Sequence, residues 1–153
     1  GYHQKIKPGT LTGRARREAQ AIELENFRRL LALPYPVAIE NPARSYVCTS
    51  IRKPDQCIQP YEYGDDASKI TGLWLTGGLP QLRIDPAQRV PGRIVDQNGK
   101  QVERWANQTD SGQNRLSPGE NRWLERSSTY PGIAAAMGAQ WGSWLGRLKW
   151  MMT

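Results

Sequence analysis

Val37-Ala38-Ile39-Glu40-Asn41-Pro42 is the stretch on which the fold of this chain turns. Three apolar residues run into an acid, an amide and a proline. The apolar run has the length and bounds of a short buried strand. Pro42 has no N–H and biases Asn41 away from helix, so the strand is expected to stop there. Glu40 and Asn41 then stand where strand becomes loop. In an α/β sheet, ligands bind outside the carboxyl ends of the strands. The plainer reading is a strand end whose polar residues are simply solvated.

Upstream, residues 14–33 read as a helix. Ala15, Ala19, Ile22, Phe27, Leu30 and Leu31 fall near a helical period, with Arg14, Arg17, Glu18 and Glu25 mostly on the outer face. Pro34 and Pro36 end it. Helix, short loop and strand make half of a β-α-β unit, although no strand precedes residue 14. Residues 1–13, with Pro8, Gly9 and Gly13, read as an extended arm; Lys5 and Lys7 could touch phosphate there, or simply fray.

Downstream, residues 45–51 begin a short helix or cross the sheet edge. Residues 51–61 read as a loop with an ordered polar role, residues 63–69 as a turn, and Ile70-Thr71-Gly72-Leu73-Trp74-Leu75 as a second strand. Residues 93–102 read as a hairpin turning at Asn98-Gly99. Between Trp105 and Trp123 the chain is dense in Asn, Gln, Ser and Arg, and such a long loop inside a domain is usually functional or disordered. Residues 132–152 give a last helix whose apolar face is Ile133, Met137, Trp141, Trp144, Leu145, Leu148 and Met152. Gly138, Gly142 and Gly146 form a row that permits close approach of another backbone.

The chain has 153 residues, enough for one domain with a core. The net charge of +7 is concentrated at the start: residues 1–33 hold seven basic side chains against three acids. Such a surplus fits a polyanion partner, or a solvated basic helix face. Cys48 and Cys57 are too few for a disulfide scaffold and have no metal spacing, which fits a reducing, cytoplasmic setting. His3 is the one histidine, so a zinc site and a histidine-based nucleophile are set aside. Asp55, Asp65, Asp66 and Lys69 resemble a metal nuclease only superficially, because the acid–lysine spacing is wrong, and no metal is expected.

A resemblance runs through Ile39-Glu40-Asn41-Pro42, Ile51-Arg52-Lys53-Pro54-Asp55-Gln56, Ile58-Gln59-Pro60-Tyr61, Leu73-Trp74-Leu75, Arg122-Trp123 and Thr129-Tyr130-Pro131-Gly132-Ile133-Ala134. In that order these stretches resemble phage and prophage proteins related to DNA cytosine-5 methyltransferases. The resemblance implies an α/β fold: a partial methyltransferase-like (Rossmann-type) sheet with helices and a long irregular recognition-type segment. Residues 1–75 with 127–153 would form the methyltransferase-like part, and residues 76–126 the segment facing DNA. The family's Glu-Asn-Val motif matches Glu40 and Asn41, the glutamate holding and protonating a flipped cytosine and the asparagine buttressing the catalytic loop. The closing Asn-Ser-Val-Pro motif corresponds to Ser128-Thr129-Tyr130-Pro131, without its Asn.

The resemblance also implies S-adenosylmethionine as cofactor, with a Gly-rich loop and a Pro-Cys nucleophile ahead of the Glu-Asn strand. Neither stretch occurs here, so the likeness is to the later half of the enzyme, inactive as it stands. DNA is the expected partner, with a missing N-terminal half or partner chain, in the cytoplasm of a bacterial host. Arg52, Lys53, Gln56, Gln59, Lys69, Arg104, Gln113, Asn114, Arg115 and Arg122 are the expected DNA contacts, since Arg, Lys, Gln and Asn hold phosphates and read base edges. The other reading is a catalytically silent module that binds nucleic acid or protein.

Overall fold

The computed structural model describes residues 11–115 and 127–151. The expectations for the arm before Leu11, for Arg122-Trp123 and for Met152 lie outside those residues.

Helix α1 runs Gly13–Leu31, with Arg28 and Arg29 in its last turn, where cations suit the helix dipole. Its inward stripe is Leu24, Phe27 and Leu31. Ile22 and Leu30, expected on the core face, are 62% and 44% exposed. The reason is the narrow target. Phe27 meets the ring of Trp74 edge-on, with centroids 5.3 Å apart, and from the neighbouring turns Leu24 and Leu31 pack against the same cluster while Ile22 and Leu30 fall to either side of it.

Three short strands follow: β1 Ala38–Pro42, β2 Gln56–Ile58 and β3 Thr71–Leu75. They form one sheet in the order β1-β3-β2. The strand at residues 38–42 therefore contains Asn41 and Pro42 rather than ending before them. Asn41 pairs with Gly72 and Pro42 with Thr71. Ala43 N–H bonds Ile70 O, so the nitrogen of Pro42 faces away from β3 and its missing hydrogen leaves no ladder gap.

Both strand pairs are antiparallel. This corrects the β-α-β reading, which needs hydrogen-bonded parallel neighbours. β1 and β2 do run the same way, but β3 comes back between them. Gln56–Ile58, at the centre of the stretch read as loop, is the strand that completes this arrangement; three residues are too few to carry a period.

Alternation sends Ile39, Asn41, Gly72 and Trp74 to one face, and Glu40, Leu73, Leu75, Gln56 and Ile58 to the other. On the first face α1 and the short helix α2 (Val47–Ser50) enclose Trp74, with Val47 and Phe27 buried beside it. On the second, helix α3 (Pro131–Met151) packs Ile133 against Ile58, Leu73, Tyr63 and Leu82. The domain is thus mixed α/β, with helices on both faces of a small antiparallel sheet.

Strands β4 (Arg93–Gln97) and β5 (Lys100–Arg104) form the expected hairpin. Asn98 and Gly99 have φ of 56° and 78°, as a type I′ turn requires. The hairpin is fastened to the domain by Trp105, whose ring stacks on Tyr61 at 3.9 Å and whose indole N–H donates to Val90 O at 3.0 Å. A Cβ placed on Gly138, Gly142 or Gly146 would meet nothing within 4 Å, so no described segment uses the close approach their spacing permits. Among the described residues no helix is long and apolar enough to cross a membrane.

Candidate functional site

The register brings the carboxyl ends of β1 and β2 level with each other, because Pro42 and Ile58 both pair with Thr71 at the start of β3. Glu40, Asn41, Gln59 and Lys69 gather at this end. Alternation splits the Glu-Asn pair: Glu40 faces α3, and Asn41 faces the α1 and α2 side, where its amide donates to Ser45 Oγ at 3.1 Å.

Glu40 is half-buried, and its Oε2 accepts the hydroxyl of Thr129 at 2.6 Å. Its other oxygen has no partner among the described residues. Thr129 lies in the short segment that enters α3, and that segment is anchored by four side chains from the sheet side. Beside Glu40, Lys69 Nζ donates to Ser128 O at 3.4 Å and lies 5.9 Å from the centre of the Tyr130 ring. Asp65 Oδ2 accepts the N–H of Gly132 at 2.9 Å, at the helix start, where a carboxylate complements the dipole. Asn107 Nδ2 reaches Tyr130 Oη at 3.4 Å. Burial pushes the Tyr130 phenol up from its ordinary value, partly offset by the Asn107 hydrogen bond, with the nearby Asp65 adding to the rise.

Asn107 also binds both backbone groups of Ser68, accepting its N–H at 2.9 Å and donating to its carbonyl at 3.0 Å. It thereby fastens a compact loop, residues 107–115, above the same end of the sheet. Thr109 N–H bonds Gln113 O at 2.8 Å and Arg115 N–H bonds Asn107 O at 2.9 Å. Gln113, Asn114 and Arg115 are exposed on this loop, and Arg115 Nε donates to Gln108 O at 2.8 Å.

The remaining expected DNA contacts are placed differently. Gln59 lies at the site end, but its Oε1 accepts the Lys69 N–H at 2.9 Å. Gln56 clamps the backbone of Leu82. Arg104 donates to Asp110 O, Glu103 O and Gln97 Oε1. Arg52 donates to Leu75 O at 3.2 Å and to Asp55 Oδ2 at 2.8 Å, at the opposite end of the sheet, with the exposed Lys53 beside it in sequence. Arg122 lies outside the described residues.

The three acids of the nuclease reading are also dispersed. Asp55 accepts from Leu75 N–H, Asp65 from Gly132 N–H and Asp66 from Ala106 N–H. Among the described residues no three His, Cys, Asp or Glu side chains form a metal cluster.

No protein-family model, curated protein or solved structure matches the chain.

The thiols stand away from Glu40. Cys48, on α2, donates to Ala43 O at 3.0 Å, and Cys57 pairs with Gly72 on the face opposite Glu40. The described residues also do not fit S-adenosylmethionine. They contain no Gly-rich turn between a strand and a helix whose N–H groups could cradle it. Gly77 and Gly78 follow β3 at positive φ, and Gly77 serves close packing: a Cβ there would stand 2.7 Å from the backbone of Pro36. Thr129, Asp65 and Asn107 complete the site without having been singled out as binding residues. Thr129 and Asp65 sat in quoted motifs and Asn107 in the polar stretch between Trp105 and Trp123, but the partners that give Asn107 its role are 39 and 23 residues away.

Proposed function

We propose that this domain binds DNA at the carboxyl end of β1 and receives an extrahelical base there, as the later part of a cytosine-5 methyltransferase-like fold. The observation that carries the reading is the Glu40–Thr129 hydrogen bond. It joins, across 89 residues, two of the stretches that carry the resemblance, Glu40-Asn41 and Ser128-Thr129-Tyr130-Pro131. A base turned out of the duplex is read on its pairing edge. A carboxyl group accepts from the cytosine amino group, and the second oxygen of Glu40 has no partner among the described residues.

One feature supports the larger sheet this reading implies: helices cover both faces, as in doubly wound folds. Methyl transfer itself is no part of the proposal, because the residues at hand provide neither a thiolate beside Glu40 nor a cradle for the cofactor.

The test is binding to two fluorescent duplexes, one fully paired and one with a cytosine opposite an abasic site. The domain should prefer the second, and Glu40→Gln should remove that preference while leaving binding to the paired duplex. Equal binding of both duplexes by the unaltered protein overturns the reading.

The silent protein-binding module remains a second reading for one reason. Arg52, Gln56, Gln59 and Arg104 all spend hydrogen-bonding groups on their own chain. A domain that shows no affinity for either duplex would favour it.

A further inference from the structure

We infer that Thr129 is a positioning residue for Glu40, holding one carboxylate oxygen so that the other is presented to the bound base. This rests on the base-receiving role proposed above and adds the device that aims the carboxylate.

A glutamate side chain on a strand has three rotatable bonds, and half-burial does not fix its head group. Ionised, it accepts at two oxygens, each with two lone pairs. Thr129 Oγ1 occupies Oε2 at 2.6 Å, within the short range typical of a hydroxyl on a carboxylate. Oε1 is left without a partner among the described residues.

The hydroxyl is itself fixed. Ser128, the preceding residue, is bonded through its carbonyl by Lys69. Tyr130, the following one, is held by Asn107, and Gly132 by Asp65. Thr129 is exposed and takes no part in either apolar cluster. A purely structural account of it has little apolar burial to invoke. These three anchors deliver one hydroxyl to one carboxylate at the end of the sheet where a ligand would sit.

The experiment measures, on the full chain, the ratio of affinities for the abasic-site duplex and the paired duplex, for Thr129→Val, Thr129→Ala, Thr129→Ser and Glu40→Gln. Thermal unfolding of each variant accompanies it. A hydrogen bond to a charged group is worth enough to cut the ratio roughly tenfold when it is removed. Thr129→Val and Thr129→Ala should therefore lose most of the preference, and Thr129→Ser, which restores the hydroxyl, should keep it. The ratio does not respond to the folded fraction, so a merely structural role would leave it unchanged.

If Glu40→Gln abolishes the preference while Thr129→Val and Thr129→Ala keep it, the positioning role is overturned and the base-receiving role stands. If Thr129→Ser loses it like Thr129→Val, the hydroxyl is not the operative group and the inference also fails. If Glu40→Gln keeps the preference, the base-receiving role fails and takes the inference with it.

Discussion

The side chain of Gln56 holds both backbone groups of Leu82: Nε2 donates to the carbonyl at 2.8 Å, and the N–H of Leu82 donates to Oε1 at 2.8 Å. Gln140 on α3 does the same for Arg83, accepting its N–H at 2.8 Å and donating to its carbonyl at 3.1 Å. Two glutamines thus stand in for neighbouring strands on successive residues of an extended segment. That segment carries Leu82, which is 3% exposed, into the core beside Ile58 and Ile133.

Gln56→Leu should destabilise the domain by about 1–3 kcal/mol, because the backbone of a buried residue loses both partners. Gln140→Leu should cost less, since Arg83 is exposed and water replaces the side chain. Urea unfolding checks this: the midpoint should fall more for the first variant than for the second, with the slope unchanged.

Tyr63 offers the reverse case. Its hydroxyl is buried with no hydrogen-bond partner among the described residues. Burial, aided by the charge of Glu62, pushes its phenol from 10.0 up to about 12. Below pH 10 the group is neutral in both folded and unfolded chains, and its contribution is fully present. Between pH 10 and about 12 the unfolded chain ionises while the folded one resists, so stability falls as pH rises. Tyr63→Phe should leave stability at neutral pH equal or higher, since an unpaired hydroxyl is removed from the core. It should also flatten the alkaline fall, leaving the smaller part due to Tyr46, Tyr61 and Tyr130, whose phenols are raised as well. Thermal midpoints from about pH 8 to about pH 11 for both proteins decide it; a parallel fall in the two would refute the assignment.

Two glycines of α3, Gly132 in its first turn and Gly138 in its interior, should respond in opposite directions to alanine. A Cβ on Gly132 would collide with the carbonyl oxygen of Tyr63 and lie 2.8 Å from Asp65 Oδ2. Gly132→Ala should therefore destabilise by about 3 kcal/mol, the upper part of the range for overpacking. It should also weaken the Asp65 bond that anchors the segment carrying Thr129. Gly138→Ala, with nothing within 4 Å, should instead stabilise by roughly 0.5–1 kcal/mol through helix propensity alone. Thermal denaturation of the two single variants is sufficient.

These contrasts mark how far the sequence could be read. Helix α1, strand β3, the Asn98-Gly99 hairpin and helix α3 were legible because period, proline stops and turn chemistry are local signals. The antiparallel return of β3 was not, because strand direction depends on which segments pair. β2 was hidden by its length. Gln56 and Arg52 carry the residue types that read bases, yet they are used for backbone and ion-pair bonds. Residue type cannot reveal a partner 23 or 26 residues away. At the site, Glu40 was legible as an acid near the carboxyl end of a strand, although β1 runs two residues further, through Pro42. Its hydroxyl partner, 89 residues on, depends on the packing of α3 against the sheet.

The geometry separates the basic residues by the end of the sheet they occupy, and DNA binding should report that separation. Arg115 lies on the loop that Asn107 fastens over the Glu40 end, and Lys53 lies next to Arg52 at the other. Removing a single phosphate-binding side chain reduces the slope of log affinity against log salt by about one. Arg115→Ala should weaken binding and lower that slope, although its Nε also supports the loop through Gln108 O. Lys53→Ala, at an exposed position away from the site, should change neither. Asn107→Ala should mimic the effect of Arg115→Ala by releasing the loop from Ser68, even though Asn107 carries no charge. Salt titrations of the three variants on one paired duplex would test this. Weakening confined to Lys53→Ala would move the DNA to the opposite end of the sheet and away from Glu40.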